Sequence, residues 1–484
     1  MKYQSTRQNT NPLGFVDVLL QGLATDGGLY VPEFLPKFSP SQIKEMAKLS
    51  YADLAYKIIH PFVGGEIPDI DLKNIINKSY QNFTHKAIAP FKQIDHNQYL
   101  VELFHGPTLA FKDFALQLLG NLLDYVLRKN NQEIVIIGAT SGDTGSAAIV
   151  GCKNCHNTSI FILHPFNLVS DVQRRQMTTV LDDNVHNIAI KGNFDDCQAF
   201  VKKIFMLQSD LGINSKANPN NIEQDIFKGK KIVAVNSINW ARIMAQIVYY
   251  FYVAIRLGAD GDHLVSFSVP TGNFGDIYAG FLAKRMGLPI KKLIIATNSN
   301  DILTRFIAHN DYSKKPLLET LSPSMNIQVS SNFERLLFDA HKAIGNPKGL
   351  AAVMKEFETT GSLRVEPQIL ENIKRDFVSY SASDSDTCDL IKKLYDQIGE
   401  TIDPHTAVGI FAANQYIKSK DYEKEPVITL STAHPSKFSA SIKKAGIEPA
   451  KLPKFLANLM DKKEKMVILE NNFDDIKEFI LQKI

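Results

Sequence analysis

Lys112 lies within residues 109–115, LAFKDFA, with apolar neighbours on both sides. A lysine drawn into apolar surroundings loses hydration of its ammonium form, which lowers its pKa and leaves a nucleophilic amine. A Schiff-base lysine requires that state. Asp113 pulls the other way, because an adjacent carboxylate favours the charged ammonium, and a solvated surface lysine is the plain alternative.

Two loops offer anion chemistry. Residues 140–145, TSGDTG, follow a β-branched run and precede the apolar stretch that opens at Ser146. A glycine-rich turn between strand and helix exposes backbone N–H groups, and the helix end adds partial positive charge. The hydroxyls of Ser141 and Thr144 add donors, so a carboxylate or phosphate could rest beside Gly142 and Asp143; the alternative is a plain connecting turn. No Lys-Ser or Lys-Thr follows at Walker spacing, and the glycines do not fall as G-x-G-x-x-G. Residues 271–275, TGNFG, form a second cradle of the same design. Two anion cradles and a partly buried lysine describe a phosphate-handling enzyme open to Schiff-base chemistry.

The elements that must position these residues alternate. A strand over 133–137 leads through the first loop to a helix. A strand over 264–269 leads through 270–275 to a helix over 276–286. A third strand, 426–430, runs into the loop 431–435. Such alternation predicts a parallel sheet with helices on its faces, and ligands bind beyond the carboxyl ends of its strands. Phe111, Ala115, Leu118, Leu119, Leu122 and Val126 follow helical spacing after Pro107, which places Lys112 in a first helical turn. The region before residue 90 reads as loops and helices, and the chain beyond Gly345 as mostly helical. Trp240 marks a helix start by packing, with Asn239 and Arg242 near enough to reach a cleft; Arg174 and Arg175 read as surface residues.

Composition narrows the class. A chain of 484 residues exceeds one usual hydrophobic core, so two or three domains are expected. A net charge of +3, with short basic clusters at 228–231, 291–292 and 462–465, does not suit nucleic-acid binding. No apolar stretch has membrane-spanning length, and the polar N-terminus lacks the core of a secretory signal. Four cysteines are too sparse for a disulfide scaffold, and a reducing cytoplasm fits them. Cys152, Cys155 and His156 spell C-x-x-C-H, but small core side chains on a helix explain them better than haem or a metal, and no metal site is expected.

Residues 102–117, ELFHGPTLAFKDFALQ, resemble the cofactor-lysine signature of threonine synthases. The resemblance extends to 141–145, to 270–276 (PTGNFGD), to 403–407 (DPHTA) and to 431–435 (STAHP). It also takes in 3–7 (YQSTR) and 26–32 (DGGLYVP), so it spans nearly the whole chain, and the length resembles the longer bacterial and fungal group. Where those enzymes usually carry Ala after His-Pro, this chain has Ser436. The resemblance implies a fold type II pyridoxal phosphate (PLP) enzyme: an α/β protein with twisted, parallel-rich sheets flanked by helices and an extra N-terminal domain. It implies a division into 1–95, a large domain of 96–130 with 236–484, and a smaller inserted domain of 131–235. Lys112 would carry PLP as a Schiff base. Gly272, Asn273, Phe274, Gly275 and Asp276 would surround its phosphate, and Thr432 would meet its ring nitrogen. Ser141, Gly142, Asp143 and Thr144 would hold the amino-acid end of O-phosphohomoserine. Lys437 is a candidate for the substrate phosphate, with a surface lysine as the alternative. His105, His405 and His434 could line the site. The implied state is a cytoplasmic monomer or weak homodimer. A phospholyase or a serine/threonine dehydratase on the same fold is the nearest rival, and a non-catalytic phosphate-ligand binding protein the distant one.

Overall fold

The computed structural model describes residues 1–210, 227, 229–234 and 237–484; Lys228 of the basic cluster and the expected domain boundary at 235–236 lie outside them. The chain forms two compact units, Met1–Ala115 with Ser237–Lys451, and Leu116–Asn236 with Leu452–Ile484.

The first unit is built on a six-stranded sheet. Its order is Phe377–Ser381, Ile290–Thr297, Val265–Pro270, Val427–Ser431, Gln98–Glu102 and Phe91–Asp95. All neighbours pair parallel except the last two strands. Val265–Pro270 and Val427–Ser431 are buried at every position, as strands of a parallel sheet covered on both faces must be. Thr429 pairs with Ser268 on one side, and Ser431 with Glu102 on the other. This register brings the segments 103–111, 271–275 and 432–435 out at one edge of the sheet.

Behind the second of these segments runs the helix Trp240–Arg256, buried from Trp240 to Ile255. A helix that is apolar all round belongs inside a core. The N-terminal segment covers its start. The rings of Tyr3 and Phe62 each lie 5.7 Å from the Trp240 ring, and Asn239 Nδ2 donates to Leu19 O at 3.0 Å. That segment is not only loops and helices: Tyr3–Ser5 pairs antiparallel with Tyr30–Pro32. The region beyond Gly345 also departs from its mostly helical reading, since Phe377–Ser381 joins the sheet beside Ile290–Thr297.

The second unit holds a five-stranded, all-parallel sheet in the order Val467–Leu469, Val185–Ile190, Thr158–Pro165, Ile134–Ala139, Lys231–Ala234. Its core joins Val135, Ile137, Phe161, Leu163 and Ile188 to Ile476 and Ile480 of the last helix. The end of the chain therefore groups with this unit and not with the expected range 236–484. The cause is a strand of only three residues, Val467–Leu469, which pairs with Ile188–Ile190, together with the apolar face of the helix Phe473–Lys483.

Candidate active site

The turn before Lys112 is stitched to the loop after Ser431. Leu103 N–H donates to Ser431 O at 2.9 Å, Phe111 N–H to Thr432 O at 2.8 Å, and His434 N–H to Leu109 O at 3.1 Å. Thr432 thus lies against the residue that precedes Lys112, the first residue of the helix Lys112–Asn130. Lys112 Nζ sits 5.0 Å from the Phe111 ring centroid. Asp113 turns back into the turn: Oδ2 accepts from Thr108 N at 2.8 Å and Oδ1 from Thr108 Oγ1 at 2.7 Å. Burial pushes the Asp113 carboxyl up to about 6, against the pull of Thr108 and of the Lys437 charge. Lys437 is not a surface lysine. It is 1% exposed, and its Nζ donates to Thr108 O at 2.8 Å.

In the 271–275 loop the carbonyls are spent and the amides are not. Gly272 O accepts from Ser330 Oγ at 2.6 Å; Asn273 O accepts from Asn332 N at 3.0 Å and from its Nδ2 at 2.8 Å. Asn273 Oδ1 accepts from Ser331 Oγ at 3.2 Å. Phe274, at φ 63°, caps the helix Gly275–Arg285. Among the described residues, the N–H groups of Gly272, Asn273, Phe274 and Gly275 donate to no protein acceptor. Unsatisfied amides at a helix start form a nest for an anion. Close approach also requires glycine here, for a Cβ on Gly272 would stand 2.8 Å from Ser324 O. A phosphate group fits this cradle. Beside it, buried Asp276 accepts Tyr249 Oη at 2.5 Å and Tyr250 Oη at 2.8 Å on Oδ1, while Oδ2 has no partner among the described residues. Burial raises its carboxyl to about 6, opposed by the two tyrosines and by the charge of Lys112.

The 140–145 loop belongs to the second unit. Thr140 Oγ1 accepts Gly142 N at 3.0 Å and Gly145 N at 2.8 Å. Asp143 opens the helix Asp143–Cys152, and its Oδ1 accepts from Gln173 Nε2 at 2.8 Å. Ser141 and Thr144 are half-buried, and their amides donate to no acceptor among the described residues. Sequence reasoning passed over Gln173. No local pattern marks it, since it reaches the loop from the helix Asp171–Thr178.

Three segments match known families: residues 2–80 the threonine synthase N terminus, 84–368 the pyridoxal-phosphate dependent enzymes, and 406–480 the threonine synthase C-terminal family. The threonine synthase of Pseudomonas aeruginosa is 53% identical over 100% of this chain and 98% of its own. The chain belongs to the threonine synthase family. The yeast threonine synthase, from Saccharomyces cerevisiae, is 42% identical over 97% of this chain and 95% of its own. Among solved structures, the PLP-bound threonine synthase from Brucella melitensis superposes with a TM-score of 0.92 at 45% identity, covering 100% of this chain and 99% of its own. The fold is that of a fold type II PLP enzyme, as the family resemblance implied. Lys112, Ser141 to Thr144 and Gly272 to Asp276 fall in the PLP-enzyme segment of the family, and Thr432 and Lys437 in its C-terminal segment.

Not every polar residue in the threonine synthase signatures faces outward. Ser324 N–H donates to His405 Nε2 at 3.2 Å, so the proton sits on Nδ1, which meets Asp403 Oδ1 at 2.8 Å; this ring is tied within the fold. Burial, then the neighbouring His105, lowers the His434 ring to about 4, and its Nδ1 accepts from Ser436 N at 3.2 Å. His105 Nε2 lies 2.7 Å from Glu102, whose carboxyl is held at about 2: burial opposes, but His105 and Lys92 prevail. Asn239 is consumed as the cap of the Trp240–Arg256 helix. Arg174 is not a plain surface residue, for it pairs with Glu464 and Asp171. The helix ends at Cys152, and Cys155 lies beyond it with Sγ 3.4 Å from Gly120 O.

Proposed function

We propose that the chain converts O-phospho-L-homoserine and water to L-threonine and phosphate, using pyridoxal phosphate carried by Lys112. Support comes chiefly from one juxtaposition in a chain of this family: Lys112, Thr432 and the open amides of 272–275 lie in one compact unit. When bound, pyridoxal phosphate supplies an electron sink for charge developing at the substrate α-carbon. The open amides and the helix start hold its phosphate. Lys112 Nζ, placed at the start of a helix with Phe111 beside it, anchors the cofactor and moves the proton at the α-carbon. Thr432 presents a neutral hydroxyl to the ring nitrogen, which moderates the sink where a carboxylate would deepen it. Ser141, Gly142, Asp143 and Thr144 take the amino-acid end of the substrate through two amides and two hydroxyls.

The balance of the reaction is simple. The β-carbon gives up a proton as the γ-carbon loses its bond to the phosphate oxygen and phosphate leaves with the electron pair; water then supplies the hydroxyl at the β-carbon and a proton added at the γ-carbon completes the methyl group. Lys437, lying behind Thr108, supports the shape of the turn before Lys112 and is the candidate for drawing the leaving phosphate. An N-terminal domain over 1–95 is part of this reading, as are a cytoplasmic location and a monomer or weak homodimer. No helix among the described residues is long and apolar enough to cross a membrane.

Incubation of the purified chain with PLP and O-phosphohomoserine tests the reading. Threonine and phosphate in equal amounts are expected. Phosphate with 2-oxobutanoate would move the function to a phospholyase on the same fold.

A further inference from the structure

The two ring nitrogens of His434 are held in different states. Nδ1 lies 3.2 Å from Ser436 N and 2.7 Å from Ser436 Oγ. A peptide N–H can only donate, so Nδ1 is the unprotonated nitrogen, the hydroxyl donates to it as well, and the ring proton sits on Nε2. The Ala usual in the family at this position offers only its backbone N–H. Nε2 itself has no protein partner among the described residues, and the half-buried ring leaves it open to solvent. The Phe104 ring stands at 88° to the imidazole, with centroids 5.3 Å apart, and fixes its plane. Protonation carries a specific cost, because a proton on Nδ1 turns an acceptor into a donor facing the Ser436 N–H. The charged groups around the ring do not offset that cost. Glu102 is held by His105 and Lys92, Asp403 by His405 and Thr406, and His105 and Lys437 bring positive charge. Burial and His105 outweigh the two carboxylates and hold the ring at about 4. Across the neutral range the imidazole is uncharged, with one fixed N–H.

Position gives that N–H a use. Segments 432–434 and 109–111 run antiparallel with Ala433 opposite Ala110, and the N–H bonds of Phe111 and His434 flank that pair. Side chains alternate along such a segment, so Thr432 and His434 project from one side, about 7 Å apart. Thr432 is the residue given to the cofactor ring nitrogen in the reading above. His434 therefore opens beside the ring, in the same compact unit as Lys112. A neutral N–H suits an oxygen that carries negative charge and must then leave, because a charge-assisted bond holds such an oxygen roughly twice as strongly.

We propose that His434 is a catalytic residue that donates its Nε2–H to an anionic oxygen of the substrate, and that Ser436 is the positioning residue that locks this tautomer. The inference rests on the functional reading above, and the substrate carries two such groups, a carboxylate and a phosphate. The test uses the full-length chain with PLP and the variants His434→Asn, His434→Gln and Ser436→Ala. Asn sets its Oδ1 where Nδ1 lies and keeps the Ser436 contact, but has no second N–H. Gln reaches the Nε2 position with its amide and gives up the Ser436 contact. In His434→Asn, kcat/KM for O-phosphohomoserine should fall by about tenfold or more, with partial recovery in His434→Gln and PLP affinity within about twofold of the parent. A weakened inhibition constant for inorganic phosphate in His434→Asn assigns the oxygen to the phosphate; a weakened constant for L-threonine assigns it to the carboxylate. The reverse order, Asn active and Gln impaired, would mean that His434 only caps the turn after it, and overturns the proposal. Both variants within about twofold of the parent overturn it as well. For Ser436→Ala, kcat/KM relative to the parent should drop as pH is lowered from about 8 to about 6, since the freed ring takes up a proton more readily. A ratio that does not change with pH removes Ser436 from its role. Should the His434 variants fail to fold, nitrogen NMR of isotope-labelled histidine reads the tautomer directly, the resonances that move in Ser436→Ala being those of His434. Nδ1 should appear unprotonated and Nε2 protonated in the parent; a proton on Nδ1 overturns the inference. That measurement needs no turnover, so a parent that binds PLP and makes no threonine sinks the functional reading while the tautomer is still judged on its own.

Discussion

The turn at 140–145 and the turn at 271–275 both follow a buried strand, contain two glycines and begin a helix, yet they spend their amides differently. In the first, Thr140 Oγ1 takes the Gly142 and Gly145 N–H groups, and Gln173 takes Asp143. The amides of Ser141 and Thr144 stay open among the described residues. In the second, carbonyls are consumed by Ser330 and Asn332 while four consecutive amides are left over. Four converging amides suit a dianionic phosphate headgroup that stays bound through many turnovers. Two amides beside two hydroxyls suit a carboxylate that must come and go. Motif shape alone does not distinguish these, because the difference lies in partners brought from elsewhere in the chain.

Lys112→Ala gives the largest effect and defines the cofactor side. Turnover should fall by about a thousandfold or more, and the visible absorption of bound cofactor should vanish while the melting temperature stays unchanged. Retained turnover would remove Lys112 from its role. Next come the glycines. Gly272→Ala forces a Cβ against Ser324 O and should weaken PLP by about tenfold or more, with a stability loss of about 1–3 kcal/mol. Gly142→Ala, at φ +134° and against the Gln173 side chain, should raise the KM for substrate and leave PLP affinity alone. If the two variants exchanged phenotypes in a PLP titration and a KM measurement, the division between the loops would be reversed. Gln173→Ala withdraws the donor from Asp143 and should raise KM by several-fold, about 1–2 kcal/mol, again without loss of cofactor. Thr432→Asp should change the ratio of threonine to 2-oxobutanoate, measured by chromatography, because a carboxylate would hold the ring nitrogen protonated.

An effect on stability alone is a pH dependence. Asp276 has a folded-state pKa of about 6, above the ordinary carboxylate value of 3.8, because it is buried. Between these values the folded chain holds a proton that the unfolded chain releases, so this group's contribution to stability is full below about pH 4 and is lost as pH rises through 6. Asp276→Asn cannot titrate. Parent stability relative to this variant, from denaturant unfolding, should fall by on the order of 2 kcal/mol between pH 4 and 7. A flat difference would mean that Asp276 is ionised throughout.

Both loops, the lysine and the strands that carry them were legible because each is a local pattern: β-branched run, small polar turn, helical spacing. What stayed hidden depended on direction and distance. LAFKDFA places Asp113 beside Lys112 in sequence, but the helix turns its carboxylate back onto Thr108. Lys437 reads as a surface charge until Thr108 O is seen to take it. Arg242 and Arg335 are both buried arginines in helical patterns, and only packing separates Arg335, which donates to Tyr30 O and Ile238 O, from Arg242, whose Nε and Nη1 have no partner among the described residues. The strand Val467–Leu469 is three residues long and finds its partner at Ile188–Ile190, a pairing so distant in sequence that no periodicity announces it.

The sulfur atoms carry a practical corollary. Cys152, Cys155 and Cys197 are buried, and Cys388, on the helix Asp384–Ile398, is the one partly open to solvent. The neighbouring Cys155, together with burial, holds the Cys152 thiol far above neutrality, and burial raises Cys197 to about 12. A maleimide dye applied to the native chain therefore meets a single reachable address, and a fluorophore can be installed there without first engineering the other three cysteines away.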